Sequence, residues 1–249
     1  MNSTGLYPRV HVDTAKVTAV AQAGGVLLTE TIRAAGLDRG LSEALAGWRK
    51  PLAVHDPGKI LLDLAVSLVL GGDALSDLAT LRAEPGVYGS VASDPTVSRL
   101  IKALADDADK AIKAISSARQ QARATVWGVA GVHAPDHGAT AEQPLIIDLD
   151  ASLVTAHSEK QQAAPTFKRG YGFHPLMAFA DHGADGTGEA LEILLRPGNA
   201  GSNKASDHIA VTKAALAQLP DRNPRPGRRV LVRADGAGGT KEFTKWLTG

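Results

Sequence analysis

The sequence contains no cysteine. Disulfides, zinc–thiolate centres and iron–sulfur clusters are therefore excluded, and a reducing cytoplasm fits. Aromatic residues are scarce, at 4%, which argues against an aromatic-rich stacking surface for single-stranded nucleic acid. Long apolar runs are missing as well. The longest, residues 60–70, is interrupted by Asp63 and is too short to span a bilayer. The first 16 residues lack the basic start and apolar stretch of a secretory signal. The expectation is a soluble cytoplasmic protein without a membrane partner.

Apolar residues make up 44% of the 249 positions, enough to bury one large core or two modest ones. The net charge of +1 says little as a total, but its distribution is uneven. Residues 196–245 hold ten Lys/Arg against four Asp/Glu. A local basic surplus on a neutral chain suggests a polyanion partner, although an ordinary solvated surface has the same composition.

The front of the chain reads as helical. Residues 17–28 and 30–45 carry weak helical patterning. Asp56-Pro57 is a helix start, with Asp as cap and Pro in the first turn, and that helix stops at Gly71-Gly72. A second helix runs from Asp73 to about Glu84. Asp94-Pro95 repeats the start signal, and Val97, Ile101, Leu104, Ala108, Ile112 and Ile115 follow at helical spacing. Short helices joined by Gly turns suit a helix-turn-helix module, with Arg99 and Lys102 early in the third helix, where such a module meets DNA. A plain helical bundle with two exposed cations fits equally well.

Residues 126–143, rich in Gly, Ala, Pro and His, read as a linker. Beyond them the period changes. Residues 144–155 (PLIIDLDASLVT), 172–180 (GFHPLMAFA), 190–195 (ALEILL) and 229–233 (RVLVR) read as strands, with a helix over 206–219, carrying Ile209, Ala210, the Lys213 stem, Leu216 and Leu219 on one side, and another starting at Thr240. The first three strands have short connections, which favours antiparallel neighbours, whereas a strand–helix–strand crossover favours a parallel pair. The expected class is α/β: a helical region over residues 1–130, then a mixed-sheet domain over 141–249.

Two carboxylates lie inside the first apolar strand, where burial without compensation is costly. Asp148 and Asp150 flank Leu149 and so point to one face. Asp235 ends the fourth strand and precedes the glycine-rich Gly236-Ala237-Gly238-Gly239. If the first and fourth strands are neighbours, Asp150 and Asp235 meet at one end of the sheet. Magnesium takes one or two carboxylates plus water and phosphate oxygens. Either Asp alone is more often structural; the pair favours a metal site.

The stretch IDLDASLVTAHSEKQQAAPTFKRGYGFHPLMAFADHG, then LLRPGNAGSN, then RRVLVRADGAGGTKEF, resembles the catalytic core of bacterial insertion-sequence transposases of the insertion sequence thirteen-eighty family. HDPGKILLDLAVSLVLGGDALSDLATLRAEP and VASDPTVSRLI resemble the front half of the same family, so the likeness covers nearly the whole chain. It implies an RNase H-like fold and a DDE triad binding two Mg2+ ions. The first acid, in a D-x-[ST] setting, falls on Asp150, with Asp148 as the less favoured choice, and the second falls on Asp235. The third is a Glu on a later helix. No residue matches it, because Glu242 stands too close to Asp235. The chain is thus expected to be a transposase cut short, with an incomplete sheet prone to self-association and no catalysis of its own. The implied partners are double-stranded DNA, as terminal inverted repeats and target, and a second copy in a homodimer, at the nucleoid. Lys168, Arg169, Arg196, Lys204, Arg228, Arg229 and Arg233 would hold phosphates, while Arg99 and Lys102 would read the terminal repeat.

Two other functions compete. LIIDLDASLV is close to the first motif of haloacid dehalogenase-type phosphatases, with Asp148 as nucleophile and Asp150 as general acid, but that fold expects a strand–helix–strand unit next. A non-catalytic repressor derived from a transposase would bind DNA without cutting it. A cofactor role for DGAGG is weak, since the GxGxxG spacing is absent.

Overall fold

The computed structural model describes residues 5–10, 24–184, 186–236 and 238–249. The chain forms two compact units, residues 1–126 and 127–249. No described helix is long and apolar enough to cross a membrane.

The described part of the first unit is helical. Helices α1 (Gly25–Ala34), α2 (Leu37–Ala44), α3 (Pro57–Val69), α4 (Leu78–Arg82), α5 (Pro85–Tyr88), α6 (Asp94–Ala105) and α7 (Ala108–Ala130) follow in order, and the unit boundary falls within α7. The patterning expected over 17–28 lies partly outside the described residues, since 11–23 are not among them. The Asp56-Pro57 start is as the sequence suggests. The Asp56 carboxylate accepts from the Lys59 backbone N–H at 3.1 Å and from Ser42 Oγ at 2.8 Å. Gly58 lets α3 approach α2, because a Cβ there would lie 2.5 Å from the Ser42 nitrogen.

Asp94-Pro95 behaves differently. Ser93 occupies the cap position, and Asp94 turns to Arg82 at 2.9 Å. The expected single stripe also breaks, because α6 ends at Ala105 and α7 begins at Ala108. Val97, Leu100 and Leu104 are buried, while Ile101 and Ile112 are 42% and 59% exposed. Of the expected stripe, Val97 and Leu104 are buried and Ile115 packs on the core, whereas Ile101 and Ile112 face outward.

A buried polar cluster ties the residues near the N-terminus to α3. Lys59 Nζ donates to both Asp63 oxygens at 2.8 Å, and Tyr7 OH donates to Asp63 Oδ1 at 3.0 Å. The ammonium also lies 4.6 Å from the centre of the Tyr7 ring. Burial raises the Asp63 carboxyl above the usual range, and the attraction of Lys59 offsets this only in part. Arg33 fastens the same segment by donating to the carbonyls of Tyr7 at 3.1 Å and Pro8 at 2.8 Å.

The second unit holds a mixed sheet. Its strands are β1 (Leu145–Ala151), β2 (Val154–Thr155), β3 (Ala164–Pro165), β4 (Tyr171–Phe173), β5 (Leu176–Ala180), β6 (Glu189–Leu194) and β7 (Val230–Ala234), with helices α8 (Ala205–Ala217) and α9 (Lys241–Thr248). The main sheet runs β6-β5-β1-β7, and β2-β4-β3 form a small separate sheet. β5 is antiparallel to both β1 and β6, whereas β7 is parallel to β1. The α8 crossover delivers that parallel strand. The class is α/β: a helical region, then the RNase H-like mixed sheet of four described strands.

Leu145, Ile147 and Leu149 face a core with Ala178, Ala180, Leu191, Val211, Ala215 and Phe243. Ile146, Asp148 and Asp150 alternate onto the other face. Three sequence expectations shift. The run over 172–180 is two strands, β4 and β5, separated by His174-Pro175. The core side of α8 is Ala205, His208, Val211, Thr212, Ala215 and Leu216, while Ala210 and Lys213 face solvent. Finally, residues 126–143 are not all linker, for α7 continues to Ala130 and Trp127 is buried, donating to Glu189 Oε2 at 2.9 Å.

Removing one member of a buried ion pair strands the other. Asp63→Ala is expected to lower unfolding free energy by about 3–5 kcal/mol, whereas the paired Lys59→Met/Asp63→Leu change costs far less. Urea unfolding followed by circular dichroism distinguishes them. Equal losses in the two variants would remove the ion pair from the account.

Candidate active site

The site begins with register. β1 and β7 pair from Leu145↔Val230 to Leu149↔Ala234. One residue further on each chain are Asp150 and Asp235, so both stand at the carboxyl ends of adjacent parallel strands, which run about 4.8 Å apart. Both are exposed. Asp150 Oδ2 accepts from Ser152 Oγ at 3.1 Å. Asp235 Oδ1 accepts from the Gly238 backbone N–H at 3.2 Å, closing the turn that leads to α9. Thr240 caps that helix by accepting from the Phe243 N–H at 3.3 Å.

Glycine lets a backbone or a phosphate approach closely. At Gly238 the room is used internally, since a Cβ there would lie 2.7 Å from Ala234 Cβ and 3.2 Å from His208 Nε2. The turn rests on the buried His208, whose Nδ1 lies 3.0 Å from the Lys204 carbonyl.

Asp148 shares the open face with Asp150 but has a different task. Arg233, directly opposite in register, donates to its two oxygens at 2.5 and 2.7 Å and to Asp181 Oδ2 at 3.1 Å. The Asp148 hydrogen bond, with help from Asp181, raises the Arg233 pKa and locks in its positive charge. Asp148 is thus engaged at the place where a phosphatase would need a free nucleophile. The chain after β1 also enters antiparallel strands rather than a parallel strand–helix–strand unit. The Arg233–Asp181 contact escaped the sequence reading. Asp181 lies just past the end of β5, which is separated from β7 by β1, so no pattern in the sequence pointed to that contact.

The cations proposed for phosphate sort by surroundings. Arg99 and Lys102 are exposed on α6, beside Thr96 Oγ1 at 2.9 Å and Asp106 at 3.0 Å. Lys168 and Arg169 are exposed in the turn between β3 and β4. Lys204 is exposed at the start of α8, 3.3 Å from Asp207. Arg228 and Arg229 are exposed ahead of β7, and Arg229 lies 3.8 Å from Asp221. They stand at the opposite end of β7 from Asp235, about 17 Å along a five-residue strand.

Arg196 corrects the expectation of a surface contact. It is 3% exposed and donates to the His174 carbonyl at 2.9 Å, the Gly201 carbonyl at 3.1 Å and Asp207 at 3.2 Å. A side chain spent on backbone carbonyls in the interior cannot reach a phosphate. Of the two histidines near the strands, His174 is buried with Nδ1 3.0 Å from the Ala200 carbonyl, and His157 stacks on Tyr171 at 6.2 Å.

Two exposed carboxylates at one sheet end suit the partial oxygen shell that Mg2+ takes from protein. Among the described residues, no group of three or more His, Cys, Asp or Glu is placed to hold a metal ion. Glu242 is exposed on the first turn of α9. No curated protein and no solved structure matches the chain. A family model does: transposase DDE domain group 1 matches residues 2–249, and the chain belongs to that family.

Proposed function

We propose that this chain acts on DNA at transposon ends, with Asp150 and Asp235 as two of the acids that serve phosphodiester cleavage and strand transfer. The alignment of the two carboxylates across the parallel pair β1–β7 carries this reading. Asp150 is preferred to Asp148 because Asp148 is held by Arg233. Asp150 and Asp235 would hold Mg2+, two ions in all, each needing further ligands from water, phosphate and another acid. Such ions activate a hydroxyl and stabilise the leaving oxygen. The contribution of this chain is to fix both carboxylates on one rigid sheet end and keep them open to solvent.

The finer assignment is to the insertion sequence thirteen-eighty family, acting at the nucleoid. The triad's third acid has no counterpart identified in residues 1–249, so we place the chain alone as binding DNA without turnover. The helical unit would read the terminal repeats through Arg99 and Lys102. A homodimer is supported by β7, an edge strand of the described sheet with Leu231 exposed. The repressor alternative keeps the DNA binding and drops the metal.

Metal binding separates these readings. Asp150→Asn and Asp235→Asn should each weaken Mn2+ binding about tenfold or more in calorimetry. Asp148→Asn should leave that affinity within about twofold and lower the thermal midpoint slightly instead, because Arg233 loses its two-oxygen partner and keeps only Asp181. Unchanged metal affinity in both the Asp150 and Asp235 variants would favour the repressor. Mg2+-dependent nicking of end-containing DNA by the chain alone, abolished by Asp235→Ala, would overturn the inactivity.

DNA contacts should show in salt dependence. Losing one phosphate contact lowers the slope of log affinity against log salt by about 0.9. Arg228→Ala and Lys168→Ala should each do so without altering the melting curve. Arg196→Ala should leave the slope alone and cost about 1–3 kcal/mol of stability, since it unpairs the carbonyls of His174 and Gly201 and leaves Asp207 with Lys204 alone.

A further inference from the structure

Among four Phe, three Trp and three Tyr, Phe167 alone is exposed, at 66%. It sits in the turn between β3 and β4, followed by Lys168 and Arg169. Lys168 Nζ lies 5.8 Å from the centre of its ring. The turn is well braced: the Thr166 N–H donates to the Gly170 carbonyl at 2.8 Å, the Arg169 N–H to the Thr166 carbonyl at 3.1 Å, and the Gly170 N–H to Thr166 Oγ1 at 3.0 Å. The Phe167 ring rests 5.5 Å from His174, itself buried. An apolar ring is thus held in water on a braced turn, beside Lys168.

The small sheet that carries this turn rises from the Asp150 end of β1. β2 starts at Val154, and β4 returns to β5, where Leu176 faces Ala151. From residue 170 to residue 176 the chain can span at most about 20 Å. The tip therefore lies within reach of a DNA strand at the carboxylates. Bases inside a duplex hide their faces in the stack, and an aromatic side chain gains a stacking partner only where a base is unpaired or splayed.

We propose that Phe167 stacks on an unpaired nucleobase of the DNA beside the cut, while Lys168 and Arg169 hold the adjoining phosphates. The proposal rests on the DNA-acting function above and adds the kind of strand end the site prefers. The cations give affinity for any DNA; the ring gives preference for an opened end.

The test uses the full chain and two fluorescent oligonucleotides, a blunt duplex and the same duplex with three unpaired nucleotides at one end. Wild type should bind the opened end more tightly. Phe167→Ala should lose about tenfold on the opened end and remain within twofold on the blunt duplex. Phe167→Trp should keep the preference, and its indole emission should be quenched on binding. Equal binding of both DNAs by wild type and Phe167→Ala, with an unchanged melting curve, overturns the proposal while leaving DNA binding intact. So does a change confined to self-association, which would make Phe167 a protein contact. Failure of wild type to bind either DNA would bring down the underlying function as well.

Discussion

The parallel pairing of β1 with β7 is the constraint on which the second unit turns. Neither strand can find the other locally, because paired residues such as Asp148 and Arg233 stand 85 positions apart, with β2 to β6 and α8 between them. The α8 crossover makes the meeting possible by packing its apolar side on β5 and β6. Once the register is set, Asp150 and Asp235 stand at the ends of neighbouring strands. A slip of one residue would turn β7 over and send its carboxylate towards the core side.

Charge on the open face helps to hold that register. Arg233 reaches Asp148 across the β1–β7 pair and Asp181 beyond it, so a single guanidinium links three strands or their ends. The fork geometry of Arg matches a carboxylate through two parallel bonds, which a Lys would not reproduce. The contact is partly in water, so it selects register and adds only modestly to stability. Lys59 and Asp63 stand in the opposite situation. There both charges are buried, and desolvation dominates the Asp63 carboxyl.

Much of this was legible in the sequence, and the gaps have physical causes. The period-2 run LIIDLDA and the Asp-Pro start at residue 56 each specify their own local structure. The strand–helix–strand order then makes the parallel pair almost the only solution. What could not be read was tertiary choice. Asp94-Pro95 looks like Asp56-Pro57, yet only the second Asp caps its helix, because Arg82 draws the first away. The core side of α8 was misjudged by one residue because small and apolar residues surround the helix, with His208 and Thr212 buried among them. Asp148 and Asp150 are equivalent in pattern, and only the cross-strand partner distinguishes them.

The same logic limits what a charge count can say about DNA. The basic surplus over residues 196–245 drew attention to a polyanion, but its members are not equivalent. Arg196 serves the interior, Arg233 serves the sheet, and Lys204 and Arg229 each have an acidic neighbour. The other phosphate candidates of the second unit, Lys168, Arg169 and Arg228, lie in two places, the Phe167 turn and the segment ahead of β7. The first rises from the carboxylate end of the sheet and the second stands at the far end of β7. A strand held at the first would approach the carboxylates from their own end of the sheet, whereas contacts at the second would grip DNA at the opposite end. Losing a cation from either place should weaken binding, but only the first should also change which strand end is preferred.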